Sequence, residues 1–189
     1  MFLLVVLLIL FTAVHVIPAI PRARAAARSA LGRAYGAVYG TASLVLLVAC
    51  IWAMRNAGGD NLYDPPLWGR HANFLLTLIA FIFVGIFLAR GSWRNTLRYP
   101  MAIAVMFWAL GHLLANGEAR TVIFIAGLAF AALLHAFLAS RLTVREPGVE
   151  RQGHNFMSVL FGVALYALMA QLHGVVVGVP VIDLASFSR

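Results

Sequence analysis

The chain has 189 residues, 63% of them hydrophobic and only 11% charged, with a mean hydropathy of +0.94. A soluble domain carries about 25% charged and about 45–50% apolar residues, so an ordinary cytosolic globular protein, a disordered chain and a disulfide-stapled secreted domain are all excluded. The net charge of +8 comes from 14 arginines and no lysine; they stand between apolar runs, which argues for membrane topology and against a nucleic-acid partner.

Six apolar stretches reach the roughly 17–25 residues that a membrane-crossing helix needs. They cover about 2–20, 36–55, 71–90, 100–117, 121–140 and 156–178. The runs are continuous, not alternating, and lipid requires a backbone satisfied within its own segment. The expected fold is therefore all-α: a polytopic bundle of six transmembrane helices forming one domain over residues 1–189, with no soluble domain.

The first stretch has no basic residue before it, unlike a signal peptide. Arg22, Arg24, Arg28 and Arg33 follow it, an order that holds its downstream end in the cytoplasm. Residues 22–33 have the composition of an interfacial helix on anionic lipid. Gly32, Gly36 and Gly40 recur at helical spacing and are expected to allow close helix approach. Cys50 stands alone in the second stretch, which reads as a small core residue and excludes an intrachain disulfide. Pro65 and Pro66 mark the second loop, and Pro100 suits the first turn of the fourth helix.

The third-to-fourth loop holds Arg90, Arg94 and Arg98, and the fifth-to-sixth holds Arg141, Arg145 and Arg151. Ten arginines thus gather on one side. Arg55, Arg70, Arg120 and Arg189 take the other, with Asp60, Asp64, Glu118 and Asp183. This split predicts that the odd loops face the cytoplasm and both termini lie outside, which in a bacterial inner (cytoplasmic) membrane makes them periplasmic.

Histidines carry the chemistry. His15, His112, His135 and His173 lie inside predicted spans, His71 opens the third, and His154 sits at the edge of the sixth. Ionisable groups within lipid usually face the bundle interior or a cavity, and neutral imidazole is a natural axial ligand of haem iron. The carboxylates sit at the ends of spans, which disfavours a hard-cation site, and no clustered His or Cys pattern points to zinc. Each histidine taken singly also reads as a hydrogen-bonded packing residue. At 1.5 Å per residue, His15 and His135 fall about 9–10 Å from the cytoplasmic arginines, whereas His112 falls about 20 Å beyond Arg98. Depth therefore pairs His15 with His135 more easily than with His112. Trp108, His112 and Asn116 share one helix face, either a pocket wall or a polar seam of the bundle.

Gly111-His112-Leu113-Leu114-Ala115-Asn116-Gly117-Glu118 follows Arg98-Tyr99-Pro100-Met101. Val14-His15 precedes the arginine-rich loop and Leu31-Gly32-Arg33-Ala34-Tyr35, and Pro66-Leu67-Trp68 leads into Arg70-His71. In these motifs, in this order, the chain resembles the NnrU family of bacterial membrane proteins. That family is associated with denitrification and nitrogen-oxide metabolism and is similar to the haem-containing zeta-carotene isomerase. The resemblance implies haem b with His15 and His112 as axial metal ligands. His71 and His135 also fall where that isomerase has histidines. It further implies a haem-dependent isomerase or oxidoreductase step on an apolar, isoprenoid-like small molecule, or partnership with denitrification membrane enzymes. The contrasting expectation is a cofactor-free accessory or assembly factor for a nitrogen-oxide reductase. Tyr99 stands where the family has the His of an Arg-His-Pro motif, and Ala109 where the isomerase has a Cys, so neither role transfers. Glu118 replaces the usual Asp and keeps its charge.

Overall fold

The computed structural model describes residues 1–144 and 148–181. Eight α-helices and no strand occur among them: α1 (Phe2–Val16), α2 (Pro21–Leu31), α3 (Tyr35–Asn56), α4 (Gly69–Leu88), α5 (Ser92–Thr96), α6 (Pro100–Ala115), α7 (Ala119–Leu142) and α8 (His154–Val177). Proline opens α2 and α6, where its missing N–H has no intrahelical partner to lose. None of the eight helices contains Asp or Glu.

Five helical stretches are long and apolar enough to cross a membrane. The remaining expected span, α6, has 16 residues, about 24 Å at 1.5 Å per residue against about 30 Å of hydrocarbon. Pro100 and the Asn116-Gly117 break fix its two ends. The arginine-rich α2 forms as expected, with none of its residues buried.

The core gathers Leu4, Leu8 and Phe11 of α1, Cys50 and Met54 of α3, Ala109 of α6, and Phe124 and Ile125 of α7. Cys50 is fully buried there as a core residue. Helices α1 and α7 run parallel: the Leu8 side chain fills the space beside Gly127, and about two turns further His15 meets His135. Helix α4 runs antiparallel to both α6 and α8. The α4–α8 seam is closed by Gly85 and Gly162, where the backbones approach so closely that a Cβ on Gly85 would strike the Ser158 carbonyl. Gly36 and Gly40 behave otherwise. A Cβ at either would meet nothing within 4 Å, so this glycine row brings no helix of the chain close, contrary to the expectation from its spacing.

The loops sort the charges into two ends. The Arg151 N–H donates to the Arg90 carbonyl at 2.8 Å, and Asn95 Nδ2 donates to the Gly148 carbonyl at 2.9 Å. These bonds join the third-to-fourth and fifth-to-sixth loops at the arginine-rich end. At the opposite end Leu62 and Gly117 pair at 2.8 Å, Ala119 donates to Asp60 at 3.0 Å, and Arg120 pairs with Glu118 at 2.7 Å. Arg145, Arg189 and Asp183 lie outside the described residues.

Candidate functional site

Helix α6 and the end of α8 place two imidazoles face to face. The ring centroids of His112 and His173 lie 6.4 Å apart with an interplanar angle of 30°. His112 Nδ1 is 2.9 Å from the Trp108 carbonyl, and His173 Nδ1 is 2.6 Å from the Val179 carbonyl. A carbonyl only accepts, so each Nδ1 carries the proton and each Nε2 keeps its lone pair. This is the arrangement in which a histidine is oriented for a metal through its other nitrogen.

Local sequence explains both anchors. The 112-to-108 bond spans four residues within α6. The second anchor needs the chain to turn back after α8, and Gly178 does this at φ 92°, in the left-handed region that glycine adopts without strain. Arg55 of α3 steadies that turn, donating from Nη1 to the carbonyls of Val175 and Val176 at 3.0 and 3.1 Å.

Trp108 covers one side of His112, ring centroids 4.8 Å apart, and meets Phe124 of α7 edge-on at 6.3 Å. Asn116 Nδ2 donates to the His112 carbonyl at 2.9 Å. The Tyr63 hydroxyl is shared between the carbonyls of Leu113 and Asn116, closing the open end of α6. Partial burial raises the Tyr63 phenol above its ordinary 10.0. Its proton is therefore in place below pH 10, and this contribution to stability is lost as the pH rises through the raised value. Tyr63→Phe should lower stability by about 1 kcal/mol in detergent unfolding, an effect that disappears in strongly alkaline buffer.

The second cluster lies near the arginine-rich end. His15 and His135 have ring centroids 5.4 Å apart at 53°. His135 Nδ1 donates to the carbonyl of His15 itself at 2.8 Å. Phe11 stacks on His15 at 5.0 Å, and Tyr39 of α3 lies 6.5 Å from it.

His15 and His112 thus stand near opposite ends of the bundle, one at the foot of α1 and the other at the far end of α6. The fold brings His15 to His135, as depth indicated, and brings Trp108, His112 and Asn116 to one place. His71 is exposed at the start of α4, with no ring contact to another histidine among the described residues. His154 accepts from the Arg90 N–H through Nδ1 at 3.3 Å.

His173 is the site residue that the sequence reading passed over. Depth measured from the wrong end concealed it: counted from the ends of their helices, His112 and His173 both lie about 5–6 Å in. No group of three or more His, Cys, Asp or Glu suited to a metal ion occurs among the described residues. The donor set is therefore two neutral imidazoles with no carboxylate, which suits a macrocycle-held iron and not a bare divalent ion. The His112 and His173 ring centroids lie 6.4 Å apart and those of His15 and His135 5.4 Å apart.

No curated protein and no solved structure matches the chain. A family profile described as NnrU protein matches residues 3–181, a stretch that holds all six histidines and every apolar segment, and the chain belongs to the NnrU family.

Proposed function

We propose that this protein is an integral inner-membrane haem b protein serving nitrogen-oxide metabolism, in which His112 and His173 would hold the haem. One observation carries the reading: two facing imidazoles from different helices, 6.4 Å apart, each with Nδ1 tied to a backbone carbonyl and Nε2 left to donate. Haem b supplies a one-electron iron couple when bound. The chain's own part is to hold both rings in the ligating tautomer, to keep water from His112 with Trp108, and to fix the end of α6 through Asn116 and Tyr63. The link to nitrogen-oxide metabolism and to a redox-gated isomerisation rests on the family resemblance. An apolar groove of about 460 Å³ between α1 and α7, lined by Val5, Ile9, Thr12, Ile123 and Phe130, suits an isoprenoid-like molecule as the partner.

The test is an absorption spectrum of detergent-purified protein, oxidised and reduced. A Soret band that sharpens on reduction is expected. A colourless, folded preparation that takes up no added haem overturns the reading and leaves the accessory role. The proposed orientation has its own check. With Cys50 replaced by Ala, a cysteine introduced at Gly58 should react with a membrane-impermeant maleimide on intact spheroplasts, and one introduced at Arg94 should react only after lysis.

A further inference from the structure

The link between α1 and α3 is longer than two neighbouring spans need. His15 at the end of α1 lies 6.5 Å from Tyr39 near the start of α3, so the two spans already meet at that level. Connections between packed helices take about 2–8 residues. Here the chain runs from Ile17 to Ala34 and folds most of that length into α2. A tight turn at Ile17–Ala19 and an extended Ile20 lead into Pro21, and Gly32, at φ 53°, turns the chain out of α2 toward α3. The eleven residues of α2 make about 16 Å of helix. That helix is entered and left at one face of the bundle, so it lies against that face, at the level where the apolar spans end.

The charge on this helix is unbalanced. Arg24 and Arg28, four apart, share one side of α2. Ala23 and Ala27, also four apart, are half-buried on another side, and every other residue of the helix is exposed. Arg22 opens the row and Arg33 follows just beyond Gly32. No Asp or Glu precedes Asp60, which lies at the opposite end of the bundle, so neither α2 nor the spans beside it offer a carboxylate. Among the described residues Arg22, Arg24 and Arg33 have no side-chain partner, and Arg28 is held by the Tyr35 ring alone, 5.5 Å from its guanidinium. Four guanidiniums without a counter-charge call for an anion from outside the chain.

Guanidinium forks match the oxygens of a phosphate, and arginine is weakly enough hydrated to work at an interface. The spans on either side of α2 place these forks where lipid phosphates lie. A zwitterionic headgroup brings its own cation, whereas an anionic one leaves its charge to the protein. We propose that α2 is a docking surface for anionic phospholipid, with Arg24 and Arg28 holding the headgroup phosphate and Arg22 and Arg33 adding to the attraction. None of the histidines takes part, so this surface stands apart from the haem reading above.

The full chain in a neutral detergent is titrated with phosphatidylglycerol and, separately, with phosphatidylcholine of the same acyl chains, and bound lipid is followed by native mass spectrometry. Tighter retention of phosphatidylglycerol is expected, weakening as salt is raised. An arginine near an anionic surface is worth about 5-fold, so Arg24→Gln combined with Arg28→Gln should weaken that retention about 10- to 30-fold. Arg24→Lys with Arg28→Lys keeps the charge and should keep most of the binding. All four substitutions change exposed side chains, so the fold is left alone. Equal retention of the two lipids overturns the proposal. So does a full preference for phosphatidylglycerol in the double Gln variant, which moves the anion site to the other arginine loops. Displacement of the lipid by millimolar inorganic phosphate assigns the arginines to free phosphate instead. Binding of an oligonucleotide to the chain in neutral bilayers, lost in the double Gln variant, assigns them to a soluble polyanion; either result overturns the lipid assignment.

Discussion

Gly85→Leu and Gly162→Leu should each cost about 3 kcal/mol or abolish folding, measured by equilibrium unfolding in detergent. At Gly162 an added Cβ would lie 2.6 Å from Ile82 Cα and 2.7 Å from the Phe81 carbonyl oxygen. Both are backbone atoms of α4, and neither can swing aside as a flexible side chain can. Helix α8 would have to move away from α4 along its length. Within lipid, close packing of backbones is a main source of helix association, so the lost contact is not recovered by burial elsewhere. The paired control has the opposite sign. Gly36→Ala and Gly40→Ala both enter open space; at Gly40, inside α3, exchanging glycine for alanine should stabilise by about 0.5–1 kcal/mol, and at Gly36, the second residue of α3, the gain should be smaller. Equal destabilisation at all four positions would sink this account of the seam. The seam also bears on the site, since α8 carries His173 and α4 packs on α6, which carries His112.

His173→Asn should abolish haem retention while the protein stays folded. The asparagine Nδ2 can still donate to the Val179 carbonyl, which His173 Nδ1 meets at 2.6 Å, so the turn after α8 keeps its tie. What disappears is the second ring nitrogen, the donor that a metal needs. His112→Asn should behave alike, because the Trp108 carbonyl at 2.9 Å remains within reach of an amide. His154→Gln serves as the comparison, since His154 touches the Arg90 backbone at the other end of the molecule. A Soret band unchanged in both Asn variants excludes this pair as the ligands. Should His15→Asn and His135→Asn then remove it, the iron belongs with the second histidine cluster.

Much of this fold was legible before any coordinate. The helices begin and end close to the expected spans, because proline and the Asn-Gly step terminate helices through local chemistry. The second short helix, α5, was not foreseen, being only five residues long and held by neighbours such as Asn155. The glycine row of α3 was misread for a related reason. Spacing states that a close approach is permitted, and only the neighbours state whether one occurs. The histidines follow the same rule. Depth alone brought His15 to His135, since both are counted from the same arginine-rich end. Depth failed for His112, because its partner is counted from the opposite end and is set by a turn at Gly178.

Composition and order along the chain determined that this protein is an all-helical membrane bundle, with its arginines gathered at one end and uncharged donors within. Those features are local: each follows from the transfer of a segment into lipid or from the backbone preference of a few residues. Which imidazoles meet was decided by the tertiary structure. It depends on how closely α8 can approach α4, and a carbonyl returned to His173 from beyond the helix end completes the arrangement. Separations of a few ångströms between residues about sixty positions apart come from packing, and packing is a property of surfaces in contact that no single segment carries.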